Sequence, residues 1–300
     1  MQALQYLLEN QTAFISTVAT LSLMVGSFLN VVIHRLPIMM ENSWRAELES
    51  FTSGDEPTQN EANRITQQTE TFNLSTPRSR CPHCGHAITA IENIPVISYL
   101  ALRGKCRSCQ ASISARYPLV ELTTAILSAI VAWKFFGDPA AALTAVALTW
   151  VLIALTGIDY DTYLLPDNLT LPLLWAGLIA NYFEIFTTLE SALWGAVAGY
   201  LSLWSVYWLF KLLTGKEGMG YGDFKLLAAL GAWMGWQMLP VIILLSSLVG
   251  AVVGIAMILF SGHDKSRPIP FGPYLAAAGW IALLWGNTIT RAYLDTMGIA

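Results

Sequence analysis

Charge is what this chain has least of. Only 12% of its 300 residues are Asp, Glu, Lys or Arg, about half the roughly 25% of an ordinary soluble domain. Hydrophobic residues make up 55% and mean hydropathy is +0.52. That composition excludes a single soluble globule and implies an all-α polytopic membrane protein. Cysteine is scarce too: there are four, all between positions 81 and 109. Met1 to Thr12 has neither the basic stretch nor the small-residue cleavage site of a removable signal peptide, so the first span is expected to be retained. No Gly-x-Gly-x-x-Gly element follows a strand, which removes a Rossmann-type cofactor site. No nucleic-acid partner is expected from a chain of net charge −4.

What remains is a series of apolar runs. Stretches long enough for roughly 30 Å of hydrocarbon fall near 12–33, 118–136, 140–158, 169–187, 190–213, 224–238, 239–261 and 270–287, about eight transmembrane helices. The sixth is short, and the eighth opens with Pro270 and Pro273, so for these two the sequence leaves full crossing and a re-entrant or half-length helix both open. If the loop after the first span is cytoplasmic, fourteen basic residues lie inside, including Lys265 and Arg267, and two, Lys134 and Arg291, lie outside. Retention of positive charge on the inner side then sets the orientation. The expected domains are a first helix at 1–33, a cytoplasmic loop domain at 34–117 and a membrane domain at 118–300.

The loop is divided in charge. From 41 to 70 it carries seven acids, among them Asp55, Glu56, Glu61 and Glu70, against Arg45 and Arg64, and reads as a flexible spacer. From 78 to 116 six basic residues face the single acid Glu92, a half suited to anionic lipid heads. Within it stand Cys81-Pro82-His83-Cys84 and Cys106-Arg107-Ser108-Cys109. Two such pairs offer four thiolates to one tetrahedral Zn2+, a structural site with no open position. Disulfides are the lesser alternative on a cytoplasmic face. His83 and His86 read as bystanders while four sulfurs are at hand.

Two aspartates stand where a membrane chain tolerates none without use. Asp159 ends one apolar run and Asp223 opens another, after Gly218, Gly220 and Gly222. A carboxylate at the hydrocarbon boundary is costly and marks function. Asp161, two residues on, would point about 200° away on a helix and is no partner for Asp159. Asp167 reads as a helix N-cap, and position alone allows the same for Asp223. Two carboxylates that share one proton can hydrolyse a peptide, one activating water and one polarising the carbonyl. The same pair could instead titrate in a zinc-stabilised proton-coupled carrier. A carrier would bring inverted repeats, and the two halves of this chain have none.

Several ordered motifs then carry a resemblance. Gly26 to Pro37, the cysteine pairs around Glu92-Asn93-Ile94-Pro95, Arg116 to Glu121, Ile158-Asp159 to Pro166-Asp167, Gly218 to Lys225 and Pro268 to Pro273 strongly resemble the bacterial type IV prepilin peptidases. The resemblance implies a bifunctional enzyme of the bacterial inner membrane. It would remove the basic leader of type IV prepilins and pseudopilins at the cytoplasmic boundary, then N-methylate the new terminus with S-adenosylmethionine. It selects Asp159, seven residues before Pro166, over Asp161, and pairs it with Asp223. It also suggests that the inside loop takes part in methyl transfer, with Glu92, Arg103, Lys105 and Glu121 as candidates. Glu121 reads equally well as a second-helix residue paired with an arginine.

Overall fold

The computed structural model describes residues 2–52, 72–261 and 269–298. The later part of the acidic stretch, including Asp55, Glu56, Glu61, Arg64 and Glu70, lies outside them, as do Lys265, Arg267 and Pro268. Among the described residues the protein is helical, with no strand. The only β pairing there is two isolated bridges, Arg80 with Ala87 and Lys105 with Ser112. The helices are α1 (Gln2–Glu9), α2 (Gln11–Thr52), α3 (Ile97–Ala101), α4 (Arg116–Lys134), α5 (Pro139–Thr162), α6 (Asp167–Tyr182), α7 (Leu189–Thr214), α8 (Tyr221–Met234), α9 (Leu239–Ser261) and α10 (Gly272–Met297). A helix lies in each of the eight apolar stretches, but α6 stops at Tyr182 and α8 at Met234, short of the ends expected at 187 and 238. Among the described residues four segments are long and apolar enough to cross a membrane: Gln11–Glu49, Pro139–Thr162, Leu189–Thr214 and Trp236–Met257. At 16 and 14 residues, α6 and α8 reach only about 24 and 21 Å.

The chain divides into two compact units, one of residues 12–129 and one of residues 1–11 with 130–300. In the first, α2 runs 19 residues past the expected end of its span, through Pro37 to Thr52. The start of the acidic stretch is therefore helix rather than flexible spacer. Glu41 and Arg45, one turn apart, form a 2.6 Å ion pair on it, the spacing that supports an exposed helix. Gly26 lets α2 approach α4 closely, since a Cβ there would lie 2.7 Å from Glu121 Cα. Beside that crossing Asn30 donates to the Tyr117 carbonyl at 3.1 Å. Buried Arg35 donates from Nη1 to the Asn73 carbonyl (2.9 Å) and from Nη2 to the Pro77 carbonyl (2.6 Å). One guanidinium thus gathers the strand of chain that leads into the first cysteine pair.

The second unit is organised around α8. From Leu226 to Met234 every residue is buried, as expected for a helix that is apolar all round. Leu148, Leu152 and Leu155 of α5, Leu173 of α6, Leu203 and Tyr207 of α7, Ile242 of α9 and Leu275 of α10 belong to the same core as Phe224, Leu227 and Leu230. Small residues allow this enclosure. A Cβ at Gly195 of α7 would strike the Gly231 carbonyl of α8, and one at Gly199 would lie 2.7 Å from the Leu227 carbonyl. That is the small-xxx-small contact of membrane helices. At the far end of α8, fully buried Asn181 donates to the Ala232 and Trp233 carbonyls at 2.8 and 2.9 Å and accepts the Phe186 and Thr187 amides.

The α7–α8 contact makes a direct prediction. Gly195→Val forces a side chain into backbone, so it should destabilise the protein by at least about 1–3 kcal/mol. Thermal unfolding in detergent would read this as a lowered midpoint.

Candidate functional site

Asp159 and Asp223 come from different helices and line one cleft. Asp159 is in the last turn of α5, which ends at Tyr163 in a left-handed conformation (φ +56°), the Tyr163 amide bonding back to the Asp159 carbonyl. Asp223 is the third residue of α8, and its amide bonds to the carbonyl of Gly220, the residue before the helix. Both side chains are buried, at 5% and 6% exposure, yet both border an open cleft of about 220 Å³. Gly220, Gly222, Pro270 and Phe271 supply walls, and Glu217 and Tyr163 also line it. The glycines do different work. A Cβ at Gly222 would sit 2.6 Å from Leu165 Cβ, so a bare backbone is what lets the start of α8 meet the α5–α6 turn. Asp161 is exposed and does not line the cleft.

Asp167 is not the cap the sequence suggests. Pro166 occupies the N-cap position of α6 and no side chain caps it. Asp167 instead takes Lys225 Nζ at 2.6 and 2.7 Å on its two oxygens. The short Pro166 turn brings the first turn of α6 beside that of α8, and a cation there outcompetes a local amide. Since Lys225 lies two residues after Asp223, the pair ties down the helix start that carries the second carboxylate.

A second donor was not legible in the spacing. The Gly272 amide, the first of α10, donates to Asp159 Oδ2 at 2.9 Å in a buried bond. The only sequence signal was the Pro-rich run 268–273, which marks a helix start but not what its amides face.

The four cysteines form one cluster, with their Sγ atoms all within 4.8 Å of one another. All four are free thiols. The Cys81–Cys109 separation of 3.8 Å matches the roughly 3.8 Å edge of a tetrahedron built on bonds of about 2.3 Å to zinc. The two halves are built alike. Gly85 N–H bonds to the Cys81 carbonyl and Gln110 N–H to the Cys106 carbonyl, while Cys81 N–H reaches His86 and Cys106 N–H reaches Ala111. Gly85 and Gln110 turn the chain at φ +70° and +59°. The sequence carries this repeat, Arg80-Cys81-x-x-Cys84-x-x-Ala87-Ile88 against Lys105-Cys106-x-x-Cys109-x-x-Ser112-Ile113, though the cysteine spacing alone does not draw attention to it. The amides of Cys84 and His83 draw the Cys81 thiol down to about 7. Those of Cys109 and Ser108 lower Cys106 as well. Thiolates are the form that binds metal. Cys109 moves the other way, pushed up to about 11 by burial and the neighbouring sulfurs, so it is the convergence of four sulfurs that fits a metal ion.

The four methyl-transfer candidates separate by environment. Glu92 accepts the Thr89 amide and hydroxyl, both at 2.9 Å, and lies 3.3 Å from His86, contacts that hold its carboxyl below the usual range. Glu121 is buried and accepts the Val96 amide at 2.8 Å, with Ser27 as a further partner, and among the described residues no arginine is paired with it. Val96 has φ +57°, and the Glu121 bond fixes that uncommon conformation at the start of α3. Arg103 and Lys105 are exposed. His83 and His86 are outside the sulfur cluster.

Comparison with known proteins follows the same division of the chain. Residues 20–135 match the bacterial peptidase A24 N-terminal domain and residues 146–255 the type IV leader peptidase family. The chain is 63% identical over 281 residues to the prepilin leader peptidase/N-methyltransferase of Aeromonas hydrophila, covering 94% of each chain. It is 62% identical over 285 residues to the enzyme of that name from Aeromonas salmonicida strain A449, covering 95% of each. The one from Pseudomonas aeruginosa is 60% identical over 299 residues, 99% of each. No solved structure matches the chain.

If the sulfur cluster binds metal as its geometry allows, the purified protein should carry about one metal ion per chain, and Cys81→Ser should carry none. Elemental mass spectrometry reads this, and a metal-free wild type purified without chelator would contradict it.

Proposed function

Because the chain belongs to the type IV leader peptidase family, we propose that it is a prepilin leader peptidase and N-methyltransferase whose peptidase centre is the pair Asp159 and Asp223. The observation that carries the reading is the meeting of two buried carboxylates from separate helices at one open cleft. Like charges so close favour a state in which the pair holds a single proton. The ionised carboxylate takes a proton from water as the water oxygen adds to the scissile carbonyl carbon, and the protonated one gives its hydrogen to the carbonyl oxygen. When the tetrahedral intermediate collapses, the C–N bond breaks, the amine leaves with the proton first taken from water, and the other carboxyl regains its own. No metal or organic cofactor enters this cycle.

The cleft opens at the C-terminal end of α5 and the N-terminal end of α8. On the orientation drawn from the basic residues these ends face the cytoplasmic side of the bacterial inner membrane. A prepilin or pseudopilin with its apolar segment in the bilayer would present its scissile bond at that depth.

Methyl transfer we assign to the loop domain at 34–117, with the four-cysteine site holding structural Zn2+. Among described residues of the 78–116 stretch, Gly104 and Cys106 alone are buried, too little to fold a segment of this size without a staple. Bound there, S-adenosylmethionine would supply the methyl group to the new terminal amine, with S-adenosylhomocysteine and a proton as the other products. Exposed Arg103 and Lys105 suit the donor's carboxylate, whereas Glu92 and Glu121 serve the loop's own backbone.

The test is cleavage of a purified prepilin. Asp159→Asn and Asp223→Asn should each lose at least about 100-fold in rate, the usual scale for a general acid or base, and a variant that still cleaves would remove its residue from the pair. In the same assay Cys81→Ser should abolish methylation of a pre-cleaved substrate while cleavage persists, since none of the cysteines lines the cleft.

A further inference from the structure

Which of the two carboxylates begins as the base, and what orients it, is left open by the pairing alone. Asp159 has a partner with fixed geometry. Gly272 N–H donates to its Oδ2 at 2.9 Å across 113 residues of sequence, and the bond is buried. This amide opens α10, where the first N–H groups have no partner within the helix, and Pro273 follows it with no N–H of its own. The helix end also carries partial positive charge that suits an anion.

Gly272 has no positive φ to explain why it is glycine. What the position excludes is a side chain. A Cβ there would lie 2.6 Å from Asp159 Oδ2, 3.1 Å from its Cγ and 3.2 Å from Leu165 Cδ1. The residue therefore combines a donor aimed at the carboxylate with the bare surface that lets the carboxylate reach it. The Asp223 carboxyl has a backbone partner as well, Gly220, but that residue sits in its own turn just before α8, whereas the donor to Asp159 comes from another helix and is 113 residues away. Glu217 and Tyr163 line the same cleft, but the donor to the Asp159 carboxylate is Gly272.

Building on the aspartate pair as the peptidase centre, we infer that Gly272 is a positioning residue: its amide holds Asp159 as the group that accepts the water proton, which leaves Asp223 to carry the proton given to the carbonyl. Gly272→Ala should move the Asp159 carboxylate off the amide. A misplacement of this order can cost about 100-fold in rate, so kcat for prepilin cleavage should fall by that scale while KM stays within about twofold. Gly279→Ala is the packing control. It sits two turns further along α10, where a Cβ would press on the Leu230 side chain at 2.5 Å and on no aspartate. It should lose stability as Gly272→Ala does yet keep kcat within about threefold. A Gly272→Ala enzyme with wild-type kcat, or a Gly279→Ala enzyme that loses as much, would overturn the inference.

A measurement that does not need Gly272→Ala to fold uses the two Phe-Gly pairs of the chain, 136–137 and 271–272. Labelling Phe carbonyl carbon with 13C and Gly nitrogen with 15N yields one amide signal for each. Asp159→Asn should shift one of the two and leave the other in place, and two unmoved signals would refute the hydrogen bond. The outcomes separate cleanly. Asp159→Asn that still cleaves prepilin sinks the aspartate-pair reading itself, whereas loss of cleavage in Asp159→Asn beside an unimpaired Gly272→Ala sinks only the role given to Gly272.

Discussion

A carboxylate at the boundary of a membrane domain must find its donors within the protein, because hydrocarbon offers none. The second compact unit is arranged around that constraint. Asp159 is satisfied by the first amide of α10. Asp223 starts α8, the helix that every neighbour surrounds, and the start of α8 is fixed twice, by the bare backbone of Gly222 against Leu165 and by Lys225 on Asp167. Remove those contacts and two costly charges would have no defined relation to one another. With them in place, the carboxylates stay buried while one side remains open to the cleft.

The enclosure of α8 explains several residues that have no part in chemistry. Gly195 and Gly199 allow the backbone of α7 to lie on α8. Asn181 spends all of its hydrogen-bonding capacity on the end of α8 and the turn after α6, and Trp233 donates to the Leu173 carbonyl at 2.8 Å. In lipid, where apolar surface gains little from being buried against other apolar surface, close backbone packing and such internal hydrogen bonds hold helices together. The first unit solves a different problem. Its described residues from 78 to 116 have almost no core, and two copies of one turn, each ending in a residue at positive φ, bring four sulfurs together instead.

Much of this was legible because it was expensive. Asp159 and Asp223 declared themselves as charges in apolar surroundings, the cysteines by spacing, and the family by several motifs in order. The residues that escaped were those whose partners are backbone groups or distant side chains. Nothing in the sequence says that Gly272 faces Asp159, that Glu121 takes the Val96 amide, or that Asp167 prefers Lys225 to a helix cap. Each depends on how turns bring remote segments together. The continuation of α2 beyond Pro37 was hidden for another reason: an acidic stretch looks flexible by composition, while pairs such as Glu41 and Arg45 one turn apart support a helix.

The proposed peptidase centre requires Asp159 and Asp223 to act together on one peptide bond. Carbodiimide labelling of carboxylates, read by mass spectrometry, tests it with a prepilin-derived peptide that carries a hydroxyethylene isostere in place of the scissile amide. When the peptide is bound, both aspartates should be protected in parallel, with the same dependence on peptide concentration. Protection of one without the other, or of neither, would contradict the account.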